Sequence, residues 1–213
     1  MEARELVGVI LAGGRSSRMG RPKEAIVLDG EPLLQRQQRL LHEVGIRRVL
    51  LSMGKAHQRA PGKLPGEGGL LKEMSCEMVY DPPGVGGPLA GILASLRRIT
   101  RLPPDEMSAS GILVVAVDMP RLSRGVLEAL IEATARGRGA APKVEGRWEP
   151  LAAVYPREAL GPATRLADGP APSSPSGLLD ELETCGQMEA RAVQSAWVDG
   201  LRSWNTPDDL PGS

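Results

Sequence analysis

Phenylalanine is absent, and aromatic residues of every kind make up only 2% of the 213-residue chain. Aromatic platforms on which single-stranded nucleic acid could stack are therefore missing, and aliphatic side chains must build the core. Cysteine is nearly as scarce: Cys76 and Cys185 lie far apart in no C-x-x-C arrangement, and His42 and His57 are the only histidines. Neither a zinc site nor a disulfide framework is indicated, and a reduced, cytoplasmic protein fits best. Net charge is missing as well, since Lys+Arg and Asp+Glu both total 26. No global field recruits nucleic acid or an anionic membrane, so any anion must be gripped by local charge. Long apolar runs are lacking too, which excludes a membrane-spanning helix, and the opening MEARELVGVILAGG carries acidic residues where a signal peptide would be basic.

Glycine (26) and proline (19) are abundant, and they concentrate in loops. The most informative loop runs from Leu11 to Lys23 (LAGGRSSRMGRPK), directly after the apolar run Leu6–Leu11. Ala12, Gly13 and Gly14 let backbone N–H groups approach an anion closely, while Arg15, Arg18, Arg21 and Lys23 add fixed positive charge. A loop of this kind at the carboxyl end of a parallel-type strand suits a nucleoside triphosphate. It is not a Walker A loop, because Gly14 and Gly20 are separated by five residues rather than four. Nor does the Gly84-Val85-Gly86 segment make a dinucleotide fingerprint, as Leu89 holds the last glycine position.

The remaining pattern predicts alternating strands and helices in a single domain, residues 1–213, of Rossmann-like α/β class, with a mostly parallel central sheet and helices on both faces. Asp29-Gly30 predicts a turn. Leu33, Leu34, Leu40, Leu41 and Val44 mark one face of a helix opened by Pro32 and ended by Gly45, and Arg48 to Met53 a second strand. Gly54 to Ser75 reads as a surface loop, Glu77 to Tyr80 as a short strand. Pro88 opens a helix with Leu89, Ile92, Leu93, Leu96 and Ile99 inward. Gly111 to Val117 is the most apolar run, as expected of a central strand buried on both faces. A helix capped by Ser123 and ended by Gly137 follows, then a turn at Glu145-Gly146-Arg147 and a strand from Leu151 to Tyr155. Gly161 to Ser176 reads as a flexible flap, Leu178, Leu179 and Leu182 as a short helix, and Ala192 to Val198 as the last strand.

Two carboxylates stand at predicted strand ends. Asp118, followed by Met119-Pro120, is placed to hold Mg²⁺, a hard ion that keeps waters and substrate phosphates. Asp81 can accept hydrogen bonds from a base or ribose, and equally suits an Asx-type turn before Pro82. Ser203 and Asn205 offer donors near the C-terminus.

Together, Leu11-Ala12-Gly13-Gly14 through Arg18-Met19-Gly20 and Lys23, Asp81 ahead of Gly86-Gly87-Pro88-Leu89-Ala90-Gly91, Asp118-Met119-Pro120, Glu149-Pro150-Leu151 and Asn205-Thr206-Pro207-Asp208-Asp209-Leu210 resemble the molybdenum cofactor guanylyltransferases. The resemblance runs in order over nearly the whole chain. It implies a nucleotidyltransferase that moves GMP from GTP onto molybdenum-bearing molybdopterin and releases pyrophosphate, with Mg²⁺ as cofactor. By matching positions, the backbone of Leu11, Ala12, Gly13 and Gly14 contacts the nucleotide, Arg18 and Lys23 hold the phosphates and leaving group, Asp81 meets the guanosine, and Asp118 meets nucleotide and metal. The C-terminal half, with Arg147, the flap, Ser203 and Asn205, receives the pterin. Molybdenum-insertion and molybdoenzyme-delivery proteins are the implied protein partners, and neither nucleic acid nor membrane is expected. Alternatives within the class are a cytidylyltransferase or sugar-phosphate nucleotidyltransferase, and outside it a non-catalytic nucleotide-binding partner. Gly54, Met119 and Ser203 depart from the family pattern.

Overall fold

The computed structural model describes residues 1–12, 26–54, 76–102, 109–170, 174–204 and 209. Strand β1 (Leu6–Leu11) precedes a small hairpin of β2 (Val27–Leu28) and β3 (Glu31–Pro32). Asp29 and Gly30 turn that hairpin at φ 53° and 81°, two successive left-handed residues of the kind that follow the strand twist. Helix α1 (Leu33–Glu43), β4 (Val49–Met53), β5 (Glu77–Tyr80), α2 (Pro88–Thr100), β6 (Gly111–Ala116) and α3 (Arg124–Ala133) follow. The second half contributes β7 (Gly139–Val144), β8 (Arg147–Trp148), β9 (Ala152–Pro156), α4 (Leu160–Asp168), α5 (Pro175–Thr184), β10 (Met188–Ala192) and the short α6 (Ser195–Val198).

The main sheet has the order β10-β7-β9-β6-β1-β4-β5, with β8 paired to β7. β5, β4, β1 and β6 run parallel, β9 runs against both β6 and β7, and β10 is parallel to β7. Period-two alternation separates two cores. Leu113 and Val115 of β6 face one side with Leu33, Leu34 and Leu41 of α1 and Val126, Leu127 and Leu130 of α3. Ile112 and Val114 face the other, against Leu89, Ile92, Leu93 and Leu96 of α2 and Leu178, Leu179 and Leu182 of α5. Helices therefore cover both faces, and β6 is buried along its whole length, as its composition requires.

Several expectations need correction. The stretch expected as a flap is largely helical: α4 covers Leu160–Asp168 and Pro175 opens α5, with only 171–173 of it outside the described residues. Gly161 and Pro162 sit in a first helical turn, where a missing backbone N–H costs nothing, and Ala163 is fully buried in the second core. The last strand is Met188–Ala192, and Ser195–Val198 is a helical turn instead. Strand β7 had no counterpart among the expected elements. Pro32 is the residue before α1 rather than in its first turn, and Ser123 holds the cap position of α3 without a side-chain bond to the backbone. α3 ends at Ala133, where Thr134 turns extended and donates its hydroxyl to the Ile131 carbonyl at 2.7 Å, before Gly137 is reached. The expected surface loop falls outside the described residues from 55 to 75.

Candidate active site

The register brings the carboxyl ends of the four parallel strands to one edge. Leu11 pairs with Ser52 on one side and Ala116 on the other, and Met53 pairs with Tyr80. Main-chain bonds continue the ladder past the strands: Ala12 N–H donates to Ser52 O (3.0 Å), Val117 N–H to Leu11 O (3.1 Å) and Asp81 N–H to Met53 O (3.3 Å). Asp81 and Asp118 thus stand at the two flanks of this edge, with β4 and β1 between them. Three inter-strand steps amount to about 14 Å, a span that base, ribose and phosphates of one nucleotide can bridge. Leu11 and Ala12 lie in the middle, at the point where the chain leaves β1.

α2 begins at the same edge. Gly87, at φ 70°, turns the chain into Pro88, and as the cap residue it has no side chain with which to cap the helix. Its first N–H groups and the positive end of its dipole face the side where an anion would sit.

Asp118 is half-buried and rides on a turn whose carbonyls are held from three directions. Asp118 O accepts from the Trp204 N–H (2.8 Å), Met119 O from Gln37 Nε2 (2.7 Å) and Pro120 O from Arg36 Nε (2.7 Å). Met119 and Leu122 sink into the first core, so the departure at Met119 places an apolar anchor beneath the carboxylate. The C-terminal segment packs on the same turn: Arg121 pairs with Asp199 at 2.6 Å, and a Cβ on Gly200 would fall 2.9 Å from Arg121 O. Arg36 and Gln37 had not been singled out from the sequence. The signal was there, since Gln37 occupies the i+4 place in the stripe Leu33, Gln37, Leu41, where an apolar residue is expected.

Beyond β6 the sheet reverses direction. Ala116 N–H donates to Leu151 O (3.0 Å) and Glu149 N–H to Pro142 O (3.0 Å), which sets Glu149-Pro150-Leu151 beside the end of β6. Tyr155, fully buried, fixes the segment by donating its hydroxyl to Pro150 O at 2.9 Å. Arg147 is exposed in the β7–β8 hairpin, which extends past this edge through the positive-φ turn Glu145-Gly146. Ser203 is half-buried next to Trp204 and so adjoins the Asp118 turn. Of the residues expected in the site, Leu11, Ala12, Asp81, Asp118, Arg147 and Ser203 are thus placed around one edge of the sheet. Gly13, Gly14, Arg18, Lys23 and Asn205 lie outside the described residues.

Burial pushes the Glu149 carboxyl above the usual carboxylate range. The folded chain then binds that proton more tightly than the unfolded chain, so stability is greatest below the ordinary carboxylate value and falls as pH rises through the raised one. Glu149→Gln accordingly raises Tm at about pH 7.5 and leaves it unchanged near pH 4; thermal melts at the two pH values check this, and an equal shift at both would contradict it.

Among the described residues, no group of three or more His, Cys, Asp or Glu side chains gathers into a metal cage. A single carboxylate at Asp118 fits an ion that completes its shell with water and substrate phosphate oxygens, which is how Mg²⁺ is commonly bound. A cavity of about 890 Å³, lined by Thr100, Arg157, Leu160 and Thr164 among others, lies at the opposite end of the sheet, where Arg157 N–H donates to Ser110 O just before β6. It is remote from the two carboxylates. No described helix is long and apolar enough to cross a membrane.

Comparison with known proteins fixes the family. The MobA-like NTP transferase domain matches residues 8–184, most of the chain, from within β1 to the end of α5. The chain belongs to the MobA-like NTP transferase family. A member from Opitutus terrae, named probable molybdenum cofactor guanylyltransferase, is 38% identical over 208 residues, covering 97% of this chain and 94% of that protein. The molybdenum cofactor guanylyltransferase of Rhizobium meliloti is 38% identical over 151 residues, 70% of this chain and 62% of its own length. The crystal structure of molybdopterin-guanine dinucleotide biosynthesis protein A from Archaeoglobus fulgidus superposes with a TM-score of 0.68 at 23% identity, covering 96% and 94% of the two chains, and shares the MobA-like fold. This MobA-like chain is therefore a nucleotidyltransferase built on a mixed, mostly parallel sheet.

Proposed function

We propose that this protein transfers the GMP moiety of GTP to the terminal phosphate of molybdenum-bearing molybdopterin, releasing pyrophosphate. The observation that carries the proposal is the 38% identity, over 97% of the chain, to a protein named for that activity. The alignment of Asp81, the β1 exit and Asp118 along one sheet edge supports it.

An oxygen of the acceptor phosphate attacks the α-phosphorus of GTP in line. The new P–O bond forms as the bond from the α-phosphorus to the bridging oxygen breaks, and the electron pair leaves with pyrophosphate. No covalent enzyme intermediate is required. Asp81 receives the guanosine, and the backbone from Leu11 through Gly14 lies along the phosphates. Arg18 and Lys23 draw charge onto the leaving group, and Asp118 supplies the carboxylate for Mg²⁺. When bound, Mg²⁺ neutralises phosphate charge so that an anionic nucleophile can approach. Arg147, Ser203 and Asn205 receive the pterin from the side where β9 reverses the sheet. The two free cysteines, Cys76 and Cys185, suit work in the reducing cytoplasm, between molybdenum-insertion and molybdoenzyme-delivery proteins.

The test is a reconstituted reaction with molybdenum-loaded molybdopterin, Mg²⁺ and GTP, CTP or UTP in parallel. GTP is expected to yield the pterin dinucleotide with one pyrophosphate per turnover, at a kcat/KM at least about tenfold above CTP. A preference for CTP would move the protein to cytidylyl transfer, and GTP binding with no product would make it a non-catalytic nucleotide binder.

A further inference from the structure

The apolar stripe of α1 is interrupted at its centre. Leu33, Leu34 and Leu41 are at most 1% exposed, and Gln37, between them at 1%, is equally buried. Because a carbonyl can only accept, the Gln37 atom facing Met119 O at 2.7 Å must be the amide nitrogen, which fixes the orientation of the side chain. Its other end, Oε1, is buried with no hydrogen-bond partner among the described residues. A methionine or leucine would fill the same space without stranding a polar atom, so Gln37 carries a stability cost that its packing does not require. What it provides instead is a hold on the carbonyl next to Asp118. Arg36, its neighbour in α1, repeats the hold on Pro120 O at 2.7 Å.

We propose that Gln37 is a positioning residue for Asp118: its amide, reinforced by Arg36, fixes the Asp118-Met119-Pro120 turn so that the carboxylate presents one geometry to the nucleotide-bound metal. The proposal rests on the reading that Asp118 binds the metal of nucleotidyl transfer. Preorganisation of a ligand on a turn comes from such outer contacts, because the turn lies past the end of β6 and outside its ladder. The hold also ties the turn to α1, the helix that follows the glycine loop in sequence.

The signature is a separation of stability from metal binding. Gln37→Met removes the hold and the stranded oxygen together, so Tm is expected to stay level or rise. The affinity for Mn²⁺ in the presence of GTP, read by electron paramagnetic resonance of free Mn²⁺, should fall about five- to tenfold. The Mg²⁺ concentration for half-maximal turnover should rise in parallel, with KM for GTP at saturating metal changing less than about twofold. Arg36→Met, at a partly exposed position with little folding risk, should shift metal affinity in the same direction by a smaller factor. Unchanged Mn²⁺ affinity in Gln37→Met overturns the proposal, and so does a fall in Tm with metal affinity intact. Asp118→Ala separates the two levels. If it abolishes Mn²⁺ binding in the presence of GTP while Gln37→Met leaves it intact, only the role of Gln37 fails; if Asp118→Ala leaves Mn²⁺ binding intact, both fail.

Discussion

Asp118→Ala is expected to lower GMP transfer by about a thousandfold or more, roughly 4 kcal/mol of transition-state stabilisation, while the protein still folds. The reason lies in where the carboxylate stands. Asp118 follows the central strand β6, between the exit of β1 and the reversed strand β9. Under the proposed function, removing it withdraws the hard oxygen ligand of the ion that offsets charge on the phosphate oxygens. The fold survives because the bond from Trp204 reaches the main-chain carbonyl of Asp118, which alanine retains, and because Met119 and Leu122 anchor the turn in the core. Circular dichroism and thermal melts alongside product analysis separate the two effects. Wild-type turnover in the variant would remove Asp118 from the chemistry.

Gly91→Val is expected to damage both stability and nucleotide binding. Gly91 lies in α2 where the helix crosses the ends of β1 and β4, and a Cβ there would fall 2.4 Å from Ser52 Oγ and 2.8 Å from Leu11 Cδ2. Those two residues are register partners at the top of the ladder, and Ala12 hangs from Ser52 O. A valine must therefore push α2 outward or turn Leu11, and either shift is transmitted to the start of the glycine loop. Overpacking of this kind costs about 2–4 kcal/mol, roughly 6–12 °C in Tm for a chain of this size, and KM for GTP should rise about tenfold. Gly86→Ala is the control for stability. A Cβ at Gly86 meets nothing within 4 Å, and its φ is ordinary, so Tm should move by less than about 2 °C. Equal effects at the two glycines would show that the close approach of α2 does not matter.

The fold was legible wherever side-chain pattern dictates burial. β6 reads from its composition because a strand with helices on both faces must be apolar at every position. α2 reads from Pro88 and a clean stripe, and the β2–β3 turn from Asp29-Gly30. β7 was illegible for the opposite reason. Gly139-Ala140-Ala141-Pro142 has little intrinsic strand preference, and a Cβ on Gly139 would meet Val154 O at 2.0 Å, so close packing against β9 selects small residues there. α4 was hidden by Gly161 and Pro162, which punctuate a loop in most contexts but are harmless in a first helical turn.

The site divides along similar lines. Asp118 and Asp81 could be found because a carboxylate directly after an apolar strand is conspicuous, and the fold brings both to one edge. Gln37 was passed over, since a single glutamine in a helix is unremarkable until the stripe it interrupts and the turn it touches are seen together. The expected role of Lys23 at the phosphates concerns a residue outside the described range, as do the roles of Gly13, Gly14, Arg18 and Asn205.

The most direct test of one nucleotide lying across four strand ends is a crystal structure of the protein with GTP and Mn²⁺, using the anomalous signal of manganese to locate the ion. The account predicts manganese within about 2.2 Å of an Asp118 carboxylate oxygen and of a phosphate oxygen, with the guanine over the end of β5 near Asp81. Manganese bound elsewhere, or a nucleotide whose base sits on the β9 side of Asp118, would contradict it.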